Sequence, residues 1–264
     1  MISTSLNYYE VPNYESHVFS EKQHDYCVII FVINEGEKLH KQLERMSHVS
    51  LNADIIIADG DSSDGSTDHS LLKSLNVNTL LIKKQEGKLG TQMRIGFSWA
   101  LERGYKGVVV IDGNNKDSVT DIPHFVEKLE LNYDHVQGSR FIPGGHAINT
   151  PKSRLLGLKV LHVPVMRLAS GFKYTDTTNG FRAYSRKLLL DNDISVFRDI
   201  FTGYELHYYL AIEAAKRKFK CLEIPVTREY PKSGKTPTKI SPIKGNLQVI
   251  EKLFACALSK YRVK

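Results

Sequence analysis

The sequence predicts an α/β fold in which a mostly parallel sheet is flanked by helices. Three observations predict it. β-Branched apolar runs recur at Tyr26–Ile33, Ile55–Ala58 and Val108–Ile111; helical patterns separate them; and each run stops at a cluster of acidic, amide and glycine residues. Strands that alternate with helices pair in parallel, and function in such sheets collects at the carboxyl ends of the strands. At 264 residues the chain has room for one large α/β domain or two modest ones.

The first run ends at Asn34-Glu35-Gly36, as a buried strand feeding a turn does, and a helical stretch follows to about Met46. The second ends in Asp59-Gly60-Asp61-Ser62-Ser63-Asp64-Gly65. Val77 to Ile82 reads as a shorter strand, and Lys88 to Arg103 as a helix, because Leu89, Met93, Phe97 and Leu101 recur at every fourth position. The third run ends in Asp112-Gly113-Asn114-Asn115-Lys116-Asp117. Beyond Val136 the pattern loosens: Gly138-Ser139-Arg140 closes a strand, and Pro143-Gly144-Gly145 opens an irregular stretch suited to a mobile loop. A helix is expected from Lys152 or Ser153 to Ser170, a Thr/Asn-rich segment from Asp176 to Arg182, a helix from about Gly203 to Arg217 and a short strand from Lys220 to Val226. In the tail, Leu247, Ile250, Leu253, Phe254, Ala257 and Leu258 share one helical face, with Lys252, Lys260, Arg262 and Lys264 around or beyond it. That face admits three uses: packing onto the parent domain, contact with a membrane surface, or a dimer interface. The expected division is an N-terminal extension over 1–25, one domain over 26–240 and a C-terminal amphipathic helix over 241–264.

Composition narrows the classes. With 41% hydrophobic and 25% charged residues, 18 Gly and 9 Pro, fibrous, collagen-like and disulfide-scaffold readings fall away. The longest uninterrupted apolar stretch, Cys27 to Ile33, falls far short of the roughly 20 residues that cross a bilayer. Residues 1–25 are too polar for a secretory signal, so a cytoplasmic protein without a spanning helix is expected. The net charge of +7 favours anionic partners: phosphorylated ligands, nucleic acid or an acidic membrane face. Cys27, Cys221 and Cys256 are odd in number and set in apolar surroundings, which reads as buried free thiols rather than a disulfide or zinc site.

The three strand ends would place Asn34, Glu35, Asp59, Asp61, Asp64, Asp112, Asn114 and Asp117 along one sheet edge. Carboxylates gathered in this way repel unless a cation or a ligand's donors intervene, and a divalent ion with a nucleotide diphosphate answers that need. The other reading is turn chemistry or helix N-caps, strongest for Asp64 and Asp117, which stand just before helices.

The strand ending in Asn34-Glu35, the Asp59-Gly60-Asp61-Ser62-Ser63-Asp64-Gly65-Ser66 turn, Gly87-Lys88-Leu89-Gly90 with Arg94 and Gly96, Gly138-Ser139-Arg140-Phe141 and Asp176-Thr177-Thr178-Asn179-Gly180-Phe181-Arg182 follow one another in a specific order. In them the chain resembles a family 2 glycosyltransferase of the GT-A fold, a Rossmann-like nucleotide-diphospho-sugar transferase. It is most similar to the dolichyl- or polyprenyl-phosphate mannosyltransferase branch, over about 26–240. The resemblance implies an inverting transfer from a nucleotide-diphosphate sugar to a polyprenyl phosphate or a lipid-linked or cell-surface glycan at the inner face of a membrane, with no nucleic-acid partner and a homodimer as one arrangement.

It further implies that Asn34, Glu35, Asp59, Asp61, Lys88, Arg94, Asp112, Gly113 and Asn114 hold the nucleotide sugar. Mg2+ or Mn2+ would be bound by Asp112 and Asn114, with Asp117 as a substitute ligand. Asn114 stands where the family carries a second aspartate, and a neutral amide is a weaker ligand for a hard cation, so Lys116 would supply part of the positive charge. Ser139, Arg140, Arg154, Asp176, Asn179, Arg182, Arg228, Lys232 and Lys235 are the candidates for acceptor and phosphate binding. Arg140 and Arg182 would clamp phosphate bidentately and assist catalysis with Asp112. Glu205 would act as a general base if the acceptor is a hydroxyl; its other readings are pairing with a cation or capping the helix. Tyr230 to Ile240 is either a closing basic element or a Pro/Gly connection. Two rival functions stand beside this one: a sugar-phosphate nucleotidyltransferase, against which the acidic turn after the first strand counts, and a non-catalytic nucleotide-sugar-binding relative.

Overall fold

The structure, a computed structural model, describes residues 10–232 and 244–263, so the expectation for Lys235 lies outside the described residues. The chain opens with β1 (Tyr14–Val18), β2 (Tyr26–Val32), α1 (Glu37–Ser47), β3 (Asp54–Asp59), α2 (His69–Ser74), β4 (Val77–Lys83), α3 (Leu89–Glu102) and β5 (Gly107–Asp112). It continues through α4 (Ile122–Glu130), β6 (His135–Ser139), β7 (His146–Ile148), α5 (Lys152–Gly157), α6 (Val163–Ser170), β8 (Arg182–Ser185) and α7 (Arg186–Leu189). The last elements are α8 (Glu205–Lys216), β9 (Cys221–Pro225), β10 (Thr227–Glu229) and α9 (Lys244–Ala257).

Eight strands form one sheet in the order β1-β4-β3-β2-β5-β8-β6-β9, and β10 pairs with β7 in a small parallel ribbon. β1 and β8 run antiparallel to their neighbours; the other pairings are parallel. β2 and β3 are buried along their length and apolar, apart from the Asp54 and Asp59 ends of β3, because both their faces are covered. Alternate residues go to opposite sides: Cys27, Ile29 and Phe31 pack with α3 and α8, while Val28, Ile30 and Val32 pack with α1 and α4.

The structure differs from the sequence pattern in three places. Within 1–25, residues 14–18 form an edge strand on β4, from Tyr14 opposite Lys83 to Val18 opposite Thr79, covering the edge of β4 and becoming the sheet's edge in its place. The expected helix over 152–170 is continuous but passes through a π turn at Leu158–His162. Pro164 follows with no N–H to give the preceding turn, and the ladder widens ahead of it. On α9, Leu253 and Cys256 are buried, with Val249 and Ala257 packed beside them, whereas Leu247, Phe254 and Leu258 face outward. The expected apolar face is therefore split between core and surface. All three cysteines are free thiols.

Candidate active site

The ends of β2 and β3 are tied together locally. Asn34, in a left-handed conformation, donates its N–H to Ser62 Oγ (2.9 Å) and accepts from the Ser63 N–H at Oδ1 (2.8 Å). Asp59 accepts the Ser62 N–H (2.9 Å), and Asp64 takes the Gly36 N–H (2.8 Å). Burial raises the Asp59 carboxyl above its ordinary range, although the Ser62 hydrogen bonds pull the other way. Asp61 is exposed and 3.6 Å from Lys84, and Glu35 pairs with Lys38 at 3.5 Å. Asp64 is a loop staple rather than a helix cap, since α2 starts later and is capped by Asp68. Gln92, which the sequence reading passed over, donates to both the Val32 and Ala58 carbonyls at 2.8 Å and fixes the two strand ends to α3. Its signal was weak: one amide among several polar residues, Thr91, Arg94 and Ser98, within the helix.

Lys88 is exposed at the start of α3, and its N–H reaches the Thr202 carbonyl (2.8 Å). Arg94 is a correction. It is buried, donates to the Glu10 carbonyl (2.6 Å) and faces the Phe197 carbonyl, so packing consumes the guanidinium that was expected at the nucleotide.

The end of β5 is built differently. Gly113 donates to the Phe31 carbonyl (3.0 Å), and a Cβ there would stand 2.9 Å from Val32. Gly180 brings the 176–181 loop over the site, where a Cβ would come within 3.2 Å of Asp112 Oδ1. Arg228, from β10, bridges two carboxylates: Nη2 reaches Asp112 Oδ2 at 3.1 Å, and Nη1 pairs with the fully buried Asp117. Burial opposes the Arg228 charge, but Asp117 and Asp112 more than reverse that and raise its pKa. Asn114 Nδ2 also lies 3.3 Å from Asp112 Oδ2, while its Oδ1 is buried without a hydrogen-bond partner. Lys116 is buried beside this group, its ammonium 5.2 Å from the Tyr230 ring, and burial followed by Arg228 lowers its pKa. Arg154 Nη1 lies 3.4 Å from the Tyr230 hydroxyl. Burial would raise that phenol, yet Arg228, Arg154 and Arg140 outweigh it and hold the pKa below its usual value. The sequence places Tyr230 only at the start of a loop; its role depends on the neighbouring Arg228 and on cations from three distant segments, Lys116, Arg140 and Arg154.

Most of the remaining expected phosphate ligands are occupied within the fold. Arg140 makes a bidentate pair with the fully buried Asp176 (2.6 and 2.9 Å) and reaches Thr178 Oγ1 (3.1 Å). Arg182 donates to the carbonyls of Asn179 (2.9 Å), His207 (2.8 Å) and Thr177 (3.0 Å), so it organises the loop from behind instead of clamping a ligand. Asn179 Oδ1 accepts from the Phe181 N–H (3.1 Å), and the Ser139 and Thr175 hydroxyls share a hydrogen bond (2.6 Å). Lys232 is exposed. Glu205 Oε1 accepts the N–H groups of Thr202 (2.8 Å) and Gly203 (2.7 Å), so the expected base is spent holding the turn that leads into its own helix, and it does not cap that helix.

Residues 27–192 match the family model for glycosyl transferase family 2. The chain belongs to glycosyl transferase family 2. It is a glycosyltransferase with a GT-A fold, and this decides against the nucleotidyltransferase reading. Polyprenol monophosphomannose synthase of Mycolicibacterium smegmatis is 29% identical over 203 residues, 76% of each chain. Undecaprenyl-phosphate mannosyltransferase of Micrococcus luteus is 30% identical over 202 residues, 75% of this chain and 81% of the relative. Glucosyl-3-phosphoglycerate synthase from Mycobacterium tuberculosis, solved with UDP, superposes with a TM-score of 0.61 at 16% identity, over 88% of this chain and 79% of the other. The same synthase has been solved with Mn2+ and UDP-glucose.

The expected metal ligands of this chain do not fit a protein-held divalent ion. Such ions take hard oxygen donors, carboxylates foremost. Here Arg228 engages both Asp112 and Asp117, and Asn114 offers an amide. No three His, Cys, Asp or Glu side chains among the described residues converge to hold a metal, and residues 1–9, 233–243 and 264 contain none of these four types.

Proposed function

We propose that this glycosyltransferase moves a sugar, with inversion at the anomeric carbon, from a nucleotide-diphosphate sugar to a polyprenyl phosphate or a glycan carried on one. The observation that carries the reading is the gathering of Arg228, Lys116 and Arg154 around Tyr230 beside Asp112, at the strand end where this fold class places its ligands. An acceptor phosphate oxygen attacks the anomeric carbon as the bond to the diphosphate breaks, and the nucleoside diphosphate leaves with the electron pair. Charge grows on the leaving group, and the fixed cations face it. A phosphate acceptor is already an anion and needs no general base, in keeping with the commitment of Glu205 to Thr202 and Gly203. Asn34 and Asp59, on the neighbouring strand ends, are assigned to the base and ribose. The Mg2+ or Mn2+ of the related structures has no step in this scheme.

The names of the relatives support a lipid acceptor. No helix among the described residues is long and apolar enough to cross a membrane. Contact with the lipid, at the inner face where nucleotide sugars are made, is assigned to Leu156, Val160 and Leu168 on the 152–170 helix and Leu247, Phe254 and Leu258 on α9, all exposed. A homodimer through α9 is the competing use. The test incubates purified chain with a panel of nucleotide-diphosphate sugars and polyprenyl phosphate in liposomes and follows the lipid by mass spectrometry. A hexosyl-phosphate lipid is expected from at least one donor; donor binding with no glycosylated lipid from any of them would overturn the acceptor assignment.

A further inference from the structure

We infer that Arg228 and Lys116 are the resident cations of the donor site, so that this enzyme binds the diphosphate of its donor without a divalent ion. The inference rests on the donor reading above and concerns the residues that neutralise the donor. Arg228 occupies the place a bridging cation would take, between Asp112 at the end of β5 and Asp117 five residues on, drawing the loop between them onto β10. Lys116 lies in that loop, and more than nine-tenths of it is buried, with Asp112 and Tyr230 favouring its charged form against the burial. Together they bring two positive charges against two carboxylates, and Arg154 adds a third cation at Tyr230.

A divalent ion entering here has two routes, and both are unfavourable. Bound to Asp112, it meets the Arg228 guanidinium, 3.1 Å from the same carboxylate, and the buried positive charge of Lys116 in the same loop. Displacing Arg228 strands a fully buried Asp117 carboxylate without its partner. The change that weakens the metal site and the change that replaces it sit two residues apart: Asn114 removes a carboxylate and Lys116 brings an ammonium. The buried Oδ1 of Asn114 accepts as readily from a hydroxyl of the bound donor as from a cation. No carboxylate, imidazole or thiol in the segments outside the described residues is available to complete a metal shell.

The test is thermal shift and calorimetry on the full chain with UDP, GDP and CDP and the matching monophosphates, in EDTA or in Mn2+. One diphosphate is expected to bind with the same Kd, within about twofold, in both conditions. Lys116→Gln should lose about tenfold in diphosphate affinity, the scale of one hydrogen bond to a charged group, and keep its monophosphate affinity. Lys116→Arg should restore the diphosphate, which a purely structural lysine would not require. Diphosphate binding that vanishes in EDTA and returns with Mn2+ overturns the inference and leaves the proposed function standing. Binding of no nucleotide in either condition overturns both. A folded Lys116→Gln that binds the diphosphate like the wild type removes Lys116 from the site.

Discussion

The two sides of the candidate site spend their polar groups in opposite ways. Around β2 and β3, the acidic and amide groups are satisfied by hydroxyls and backbone N–H groups of the two adjoining turns, Asp59 by Ser62 and Asn34 by Ser62 and Ser63, while Asp61 stays in water. Around β5, β8 and β10, charges are buried and paired across the chain: Arg140 with Asp176, and Arg228 with Asp117 and Asp112. The first side can lose a carboxylate with less harm to the fold, because its carboxylates accept from hydroxyls and backbone N–H groups and no buried opposite charge is left behind. The second side cannot, because each pair holds two distant segments and a lone buried charge is costly.

Arg140→Ala breaks this contrast most severely if the contrast is wrong. It leaves Asp176 buried without its bidentate partner, and a loss of about 3–5 kcal/mol is expected in urea or thermal unfolding, with activity falling alongside. A stability within about 0.5 kcal/mol of wild type would show that the pair is not structural.

Acid should act on the same side. Burial, then Arg182, pushes the His135 imidazole down to about 3, and burial holds His207 well below its ordinary value. The unfolded chain takes up these protons first, near pH ~6.5. The stabilisation is therefore complete above that pH and is lost as pH falls towards the folded value. Unfolding free energy should drop by several kcal/mol between about pH 6.5 and 3. His135→Phe, which keeps a ring stacked on Tyr184, should flatten the slope by about one proton. An unchanged slope in that variant would mean His135 is not among the groups that titrate.

Asp59→Asn probes the other side. The substitution removes a buried carboxylate whose charge burial already disfavours, so melting should stay within a few degrees. Nucleotide affinity should fall about tenfold or more through the lost charge-assisted hydrogen bonds. Unfolding of this variant would erase the distinction between the two sides, and full nucleotide affinity would remove Asp59 from the site.

The same contrast explains what the sequence disclosed. Tyr26–Val32, Asp54–Asp59 and Gly107–Asp112 were legible because a buried parallel strand reads as an unbroken apolar run that ends where polar turn residues begin. Asn34 and Asp59 follow from that placement alone. The employment of Arg182, Arg94 and Asp117 was not legible, since an arginine facing carbonyls and one facing phosphate look alike in sequence. Arg228 and Asp112 are 116 positions apart, and no local pattern announces such a pairing. β1 was missed because Tyr14-Glu15-Ser16-His17-Val18 gains its place only from the edge of β4.

The smallest expected effect belongs to the surface that would bring the second side to its lipid. α9 divides its apolar residues: Leu253 and Cys256 lie in the core against α8 and α6, whereas Leu247, Phe254 and Leu258 are open to solvent. Replacing the three outer residues with Ser leaves the inner stripe intact, so the melting temperature should hold. Each apolar side chain withdrawn from a membrane interface removes a modest part of the attraction, and each nearby basic group contributes roughly 1 kcal/mol at an anionic surface. Co-sedimentation with anionic vesicles should therefore weaken a few-fold, and the remainder should be sensitive to salt. Should binding stay unchanged while Leu156, Val160 and Leu168 changed to Ser abolish it, the lipid contact belongs to the 152–170 helix. A triple α9 variant that shifts the protein from dimer to monomer in light scattering, with vesicle binding untouched, would show that the outer stripe meets a second copy of the chain instead of a membrane.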